Sequence, residues 1–161
     1  MVALIANETE SGLASAQQVL RLEAAGIEAL AHSLDDTFTR ALDLLANVTG
    51  RVIVSGMGKS GHVARKVAAT LASTGTPASF VHPAEASHGD LGMITENDAV
   101  IALSNSGETT ELADLVTYAK RFTIGLIAIT GRRQSTLAQA ADAHALMESS
   151  VHIGKIMLKA G

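Results

Sequence analysis

Two short segments of this chain combine glycines with polar side chains in a pattern that favours anion binding. The first, residues 55–61, reads SGMGKSG and places G-x-G-x-x-G between an apolar run and a helical pattern. In such a turn, backbone N–H groups and the start of the following helix point toward a negatively charged group. Lys59 adds a positive charge to the same turn. The segment therefore predicts an anion site, and a tight turn with a solvated lysine is the competing interpretation.

Nucleotide-binding interpretations of this glycine segment fit less well. A dinucleotide fingerprint usually includes an acidic residue at the end of the next strand, but here Val81 is followed by His82 and Pro83. A Walker A loop requires a glycine where this chain has Ile53. We therefore predict that the protein uses no nucleotide cofactor, and no other cofactor is indicated.

The second segment, residues 104–110, reads SNSGETT and is rich in hydroxyl groups. Hydroxyl side chains can bind a monoester phosphate together with the backbone N–H groups at the start of a helix, which have no acceptor within the helix. Such a site needs little basic charge. A helix N-cap is the alternative role, but one capping side chain is enough for that. The cluster of hydroxyl and amide side chains therefore favours a ligand.

Apolar runs separated by helical patterns predict the elements that position both segments. The predicted strands are 51–55, 78–81, 99–103, 124–129 and 143–147, and the later helices are 62–74, 109–121 and 134–140. Strands that are apolar throughout are typical of a parallel sheet buried on both faces. The sequence predicts an α/β fold with a five-stranded parallel sheet flanked by helices on both faces, flavodoxin-like, after an N-terminal helical extension. Ligands of such sheets bind beyond the carboxyl ends of the strands, so the loops after residues 55, 81, 103 and 129 are the candidates.

Composition narrows the classes of function. The 161 residues include 12 Lys and Arg against 16 Asp and Glu, and a net charge of −4 argues against nucleic-acid binding. The sequence contains no apolar run of about 18 residues, the length that would predict a membrane helix. The start of the chain lacks the basic region and cleavage site of a signal peptide. Cysteine is absent, which excludes thiolate chemistry. We therefore expect a cytoplasmic protein that binds neither nucleic acid nor membrane.

The two segments, SGMGKSG followed by LSNSGETTEL, resemble the sugar isomerase (SIS) domain, a phosphosugar-binding α/β module. The intervening TLASTGTPASFVHPAEASHGDLGMI is similar to the arabinose-5-phosphate isomerase branch of that superfamily. The resemblance runs from about Ala14 to Ala145 and is densest over residues 52–111. It implies interconversion of D-ribulose 5-phosphate and D-arabinose 5-phosphate, a step that feeds 3-deoxy-D-manno-octulosonate and lipopolysaccharide synthesis.

The resemblance also implies roles for individual residues. Glu111 matches the family's catalytic glutamate and is the candidate base for an enediol mechanism, although interaction with the helix dipole is its other role. Lys59 matches the loop lysine and His88 a histidine of catalysis or ring opening; His82 is a secondary candidate. Groups expected to contact the substrate phosphate are Ser55, Gly56, Gly58, Ser60, Ser104, Asn105, Ser106 and Thr109. The histidine spacing supports no metal site, so we predict none.

The end of the sequence departs from the family pattern. The threonine- and serine-rich turn and the late histidine of the family are missing, and Ser149, Ser150 and His152 match no part of it. We predict a single SIS domain over 1–161, with a helical lead-in (1–48), an α/β core (51–147), an atypical tail (148–161) and no CBS domains. Two functions remain open: an isomerase, truncated or altered at its end, and a phosphosugar-binding module without catalysis that acts as a sensor or assembly partner.

The N-terminal helical residues carry apolar side chains that need a partner surface. Leu13, Leu20, Ile27 and Leu30 recur at helical spacing before the predicted sheet. The resemblance implies oligomers whose sites lie near subunit contacts. We therefore expect a homodimer or homotetramer.

Overall fold

The computed structural model describes residues 2–141 and 143–146, with side chains from residue 12 to 141. The predicted tail, 148–161, lies outside the described residues. The α-helices are α1 (Val2–Ser33), α2 (Asp36–Ala46), α3 (Gly58–Ser73), α4 (Pro83–Ser87), α5 (Ala113–Arg121) and α6 (Thr136–Ala140). The strands are β1 (Val52–Gly56), β2 (Ala78–Phe80), β3 (Ala99–Ser104), β4 (Gly125–Thr130) and β5 (Ala143–Leu146). Two 3-10 turns, Asp90–Met93 and Thr110–Leu112, precede β3 and α5.

All strand pairs are parallel, and the strand order is β2-β1-β3-β4-β5. Alternate residues of each strand face opposite sides of the sheet. Val54, for example, packs in one core with Ala64 of α3, whereas Ile53 packs in the other with Leu115 of α5. Helices cover both faces because both faces are apolar. The prediction of an α/β fold with a parallel sheet between helices is confirmed.

The helical lead-in consists of α1 and α2, which are separated by a capped turn. The side chain of Asp35 accepts a hydrogen bond from the Thr37 N–H at 2.9 Å, so α2 begins at Asp36 with a satisfied N-terminus. The buried face of α2 packs through Ala41 against the core shared with α3. No helix in the described part of the chain is long and apolar enough to cross a membrane.

A buried carboxylate joins the amino ends of β1 and β3. Asp98 accepts hydrogen bonds from the N–H groups of Arg51 (2.6 Å) and Thr95 (2.7 Å). Burial alone raises the pKa of Asp98, but these hydrogen bonds outweigh it and hold the pKa below its ordinary value. The same edge of the sheet contains Tyr118, whose hydroxyl donates to the Ile94 carbonyl at 3.2 Å and whose ring stacks on Phe122.

Candidate functional site

The glycine segment and the hydroxyl segment follow neighbouring strands at the carboxyl edge of the sheet. Gly56 of β1 pairs with Leu103 of β3, so the two loops begin side by side. Helix α3, which follows β1, packs on one face of the sheet, and α5, which follows β3, packs on the opposite face. The direction of the strand order reverses here, and ligands of open α/β sheets bind in the crevice at such a switch point. The topology therefore places both candidate loops next to each other at the carboxyl edge of the sheet.

Glycines bring α3 unusually close to β1. A side chain at Gly61 would lie 2.6 Å from the Gly56 carbonyl oxygen, and Gly58 has a φ of +56°. Met57, the N-cap residue of α3, offers no side-chain hydrogen bond to the helix. The first N–H groups of this 16-residue helix are thus free of side-chain caps, and Ser60 and the exposed Lys59 stand in the same turn. This arrangement suits an anion.

Ser55 has a structural partner. Its side chain is fully buried, and its hydroxyl donates to the carbonyl of Val81 at 2.7 Å, which joins the ends of β1 and β2. A proton used in that bond is not available to a phosphate oxygen. We therefore revise the prediction for Ser55 and leave its hydroxyl out of the phosphate contacts.

The hydroxyl segment folds into a hydrogen-bonded loop, which we call the hydroxyl loop (residues 104–110). The hydroxyls of Ser104 and Thr109 lie 2.6 Å apart, and Ser104 also accepts from the Gly107 N–H at 3.0 Å. Their mutual bond uses one of two hydroxyl protons and leaves the other for a ligand. Ser106 accepts from the Glu108 N–H, so its own proton also remains available. The loop therefore presents hydroxyl donors on a fixed backbone.

Glu111 lies in the 3-10 turn that precedes α5, and not in an α-helical turn as predicted. The helix begins only at Ala113 because the Leu112 N–H bonds to the Thr109 carbonyl at 3.1 Å in a tighter turn. The Glu111 carboxylate is exposed and accepts a hydrogen bond from the Thr110 hydroxyl at 3.1 Å.

The two candidate histidines occupy opposite ends of α4. His82 is the N-cap residue, and its Nδ1 accepts from the Ala84 N–H at 3.3 Å. His88 is the exposed C-cap residue. Within the described residues, the side chains of His88 and Lys59 make no hydrogen bond to each other or to Glu111. The structure thus puts these groups at the carboxyl side of β1 to β3 without hydrogen bonds between Lys59, His88 and Glu111.

Comparison with known proteins assigns the chain to a family. The model of the SIS domain matches residues 44–160. The chain belongs to the SIS family. This match includes most of the segment whose sequence departs from the isomerase branch.

Relatives of this SIS domain are arabinose 5-phosphate isomerases called KdsD. The chain is 56% identical to the protein of Pseudomonas aeruginosa and 54% identical to that of Salmonella typhi, over 128 residues in each case. That alignment covers 80% of this chain but only 39% of the length of either relative. A solved structure of an Escherichia coli CFT073 protein in complex with arabinose 5-phosphate is 40% identical, with a TM-score of 0.77, and the match covers 82% of this chain and 70% of that one.

The SIS domain has a further cleft on the α5 side of the hydroxyl loop. It has a volume of about 290 Å³, near the lower end of small-ligand pockets. Glu108, Thr109, Leu112, Val116 and Leu137 contribute to its walls. No group of three or more histidine, aspartate or glutamate side chains close enough to hold a metal ion occurs among the residues that the structure describes.

Sequence reasoning missed how the loop after β4 supports this site. Residues 131–136 were expected at the same edge of the sheet, but no side chain among them was assigned. In the structure, Thr136 donates to both carboxylate oxygens of Glu108. These bonds, with the charge of Arg132, lower the pKa of Glu108 below its ordinary value. The available signal was the Ser135–Thr136 pair, one residue beyond Arg132 and Arg133, at a predicted carboxyl edge.

Proposed function

We propose that this SIS domain interconverts D-arabinose 5-phosphate and D-ribulose 5-phosphate. The observation that carries the proposal is 54–56% identity to arabinose 5-phosphate isomerases. The structural likeness to a protein in complex with arabinose 5-phosphate supports the same ligand class. We extend the proposal to a cytoplasmic role in supplying 3-deoxy-D-manno-octulosonate for the Gram-negative envelope, as the family resemblance implies.

The reaction needs a fixed phosphate and a mobile proton. In the aldose-to-ketose direction, a base removes the proton from C2 and the electron pair forms the C1–C2 double bond while O1 gains a proton. The enediol then accepts a proton at C1 and loses one from O2, which becomes the ketone oxygen. The chain requires no redox partner for this, because the atoms and electrons balance within the sugar.

The phosphate is best held between the hydroxyl loop and the start of α3. Ser104, Ser106 and Thr109 supply hydroxyl donors, and the uncapped N–H groups of α3 supply backbone donors. Lys59 adds the positive charge, either to the phosphate or to the developing enediolate oxygen. Gly56, Gly58, Ser60 and Asn105 complete the proposed contacts, and the Asn105 side chain is exposed at this edge.

Glu111 is better suited than Glu108 for proton transfer. Both oxygens of Glu108 hold hydrogen bonds from Thr136, and its lowered pKa makes it a weaker base. Glu111 has one hydrogen bond, from its neighbour Thr110, and is exposed toward solvent. We assign His88 to ring opening or proton transfer in support. His82 remains a secondary candidate, because its Nδ1 already caps α4.

Removing the proposed phosphate donors should weaken ligand binding. Ser104→Ala takes away a buried hydroxyl that also accepts from the Gly107 N–H, and Ser106→Ala takes away a half-buried one. We expect each variant to bind arabinose 5-phosphate about 10- to 100-fold more weakly, since one hydrogen bond to a charged group contributes about 1.5–3 kcal/mol. Isothermal titration calorimetry measures this. Ser73→Ala, whose exposed hydroxyl bonds Thr70 far along α3, is the control. Unchanged affinity in both site variants would contradict the assignment.

A phosphosugar-binding module without catalysis is the second candidate. It is favoured by residues 148–161, whose sequence does not match the hydroxyl turn of the family. Conversion of ribulose 5-phosphate by this chain, compared with a version that carries the family's C-terminal segment, separates the two functions. Binding with no turnover in the chain and turnover in the extended version would identify a binding module.

We further propose that α1 mediates assembly into a homodimer or homotetramer. Leu13, Leu20 and Ile27 are 62%, 69% and 64% exposed, and their seven-residue spacing puts them on one face of the helix. A second copy of the same face would bury these side chains as in a coiled coil.

Charge on this α1 face should dissociate the assembly. We expect the Leu20→Glu/Ile27→Glu variant to sediment as a monomer at micromolar concentration, where the unaltered chain sediments as a dimer or tetramer. Gln18→Glu adds a charge on the opposite side of the same helix and should leave the assembly intact. A monomeric unaltered chain would refute the proposal.

A further inference from the structure

The hydroxyl loop is joined to the loop after β4 by a seam of hydrogen bonds. The Asn105 carbonyl accepts from the Gly131 N–H at 3.0 Å, and the Gly107 carbonyl accepts from the Leu137 N–H at 3.0 Å. Glu108 closes the seam with two bonds to Thr136, a residue 28 positions later in the chain. The segment that supplies the hydroxyl donors thus forms one unit with the β4–α6 loop.

The bonds of Glu108 are stronger than the rest of this seam. Its Oε1 accepts from the Thr136 N–H at 2.8 Å, and its Oε2 accepts from the Thr136 hydroxyl at 2.6 Å. Charge-assisted hydrogen bonds are shorter and about twice as strong as neutral ones. Because both carboxylate oxygens are used on one residue, the side chain has little freedom to turn toward a substrate.

Capping of α6 does not by itself explain this arrangement. The side chain of Ser135 already accepts from the Ala138 N–H at 3.2 Å and donates to the Arg132 carbonyl at 2.9 Å. The helix is therefore capped from within its own loop. The contact from Glu108 acts instead on the loop that Glu108 belongs to, two residues after Ser106 and directly before Thr109.

We infer that Glu108 is a positioning residue: its bidentate contact with Thr136 holds the hydroxyl loop in the conformation that binds phosphate. This inference rests on the proposed function for its effect on substrate, whereas the contact itself exists without one. Glu108 thereby acts through Ser104, Ser106 and Thr109 and takes no proton from the sugar. Glu108 therefore orders the loop, and Glu111 is left for chemistry.

The inference is tested with Glu108→Ala, Glu108→Gln, Thr136→Val and the Glu108→Ala/Thr136→Val double variant. We expect Glu108→Ala to raise the KM for arabinose 5-phosphate about tenfold, the effect of about one such hydrogen bond, with a much smaller change in kcat. Glu108→Gln should retain most of the wild-type affinity, because its amide oxygen accepts from the Thr136 N–H and its amide nitrogen donates to the hydroxyl. The double variant should be no worse than Glu108→Ala alone, because both changes remove the same contact.

Amide hydrogen exchange of the ligand-free protein provides a readout that does not depend on the proposed reaction. We expect Glu108→Ala to accelerate exchange at the Gly131 and Leu137 N–H groups, which donate the backbone hydrogen bonds of the seam, and to leave β1 unchanged. Glu96→Ala, which removes an exposed carboxylate at the other edge of the sheet, should change neither exchange nor KM. A wild-type chain that binds no arabinose 5-phosphate would refute the proposed function while the exchange data still decide the role of Glu108.

Three results would overturn the inference. The first is exchange in Glu108→Ala that equals wild type at both seam positions. The second is additive effects of Glu108→Ala and Thr136→Val, which would show that the two side chains act independently. The third is a Glu108→Gln variant with normal affinity and a kcat lowered by about 10² or more, which would make Glu108 a participant in proton transfer.

Discussion

Glu111→Gln is expected to lower kcat by about 10²–10⁴-fold and to leave the affinity for arabinose 5-phosphate nearly unchanged. The amide keeps the shape of the side chain and its bond from the Thr110 hydroxyl, but it cannot take the proton from C2 of the aldose or from C1 of the ketose. Steady-state turnover of ribulose 5-phosphate gives kcat, and calorimetry gives the affinity. Where the chain itself shows no turnover, the comparison is made in the version extended by the family's C-terminal segment.

The matched control for Glu111 is Asp114→Asn. Asp114 is an exposed carboxylate in the first turn of α5, three residues beyond Glu111, and it interacts with the same helix dipole. If Glu111 acts only through the dipole, both amide variants should have the same small effect. Full activity of Glu111→Gln would assign the base to another group, of which His88 is the next candidate.

Gly107→Ala should destabilise the protein and abolish phosphosugar binding. Gly107 has a φ of +68°, and an added methyl group would overlap the Ser135 side chain and lie 2.7 Å from the Thr130 hydroxyl. Strain at positive φ costs about 1–3 kcal/mol, and overpacking adds about 1–3 kcal/mol. Because Gly107 also donates to Ser104, any shift that relieves the overlap displaces the donor pair of Ser104 and Thr109.

Two other glycines separate the causes of the Gly107 effect. Gly75 has a φ of +97° with open space around it, so Gly75→Ala measures backbone strain alone. Gly92 has open space and no positive φ, so Gly92→Ala should be nearly neutral. Denaturant unfolding of the three variants should rank Gly107→Ala well below Gly75→Ala in free energy of unfolding. Equal losses in these two would show that the contact with Ser135 is unimportant.

The sheet and its binding edge could be predicted because the signals are local or topological. Residues 99–103 are all apolar. A short, continuous apolar run between helical segments is typical of a strand that is buried on both faces of a parallel sheet. The carboxyl-edge rule then places the loops after 55 and 103 together without any knowledge of side-chain contacts. Gly58 and Gly61 likewise predict a tight turn. In the structure, α3 approaches β1 so closely at Gly61 that a side chain there would collide with the Gly56 carbonyl oxygen.

The remainder of the site depends on contacts that sequence patterns do not encode. The hydroxyl of Ser55 looks available in the sequence, but its partner is the carbonyl of Val81, 26 residues away. The pairing of Glu108 with Thr136 is equally distant. The predicted helix start at Thr109 was wrong because loop hydrogen bonds hold residues 110–112 in a 3-10 turn. The short helix α4 was absent from the predicted elements, since its residues, PAEAS, contain no large apolar side chain to mark a helical period.

The position of Tyr118 determines what intrinsic fluorescence reports. It is the single tyrosine of a chain without tryptophan, and its bond to Ile94 and its stacking on Phe122 lie at the amino edge of the sheet. Ultraviolet emission therefore follows the packing of α5 against the region before β3, which unfolding disrupts. A ligand at the opposite edge leaves this chromophore in place. Optical titrations of the site consequently call for an introduced probe, such as a tryptophan near the hydroxyl loop, against a background with almost no competing emission.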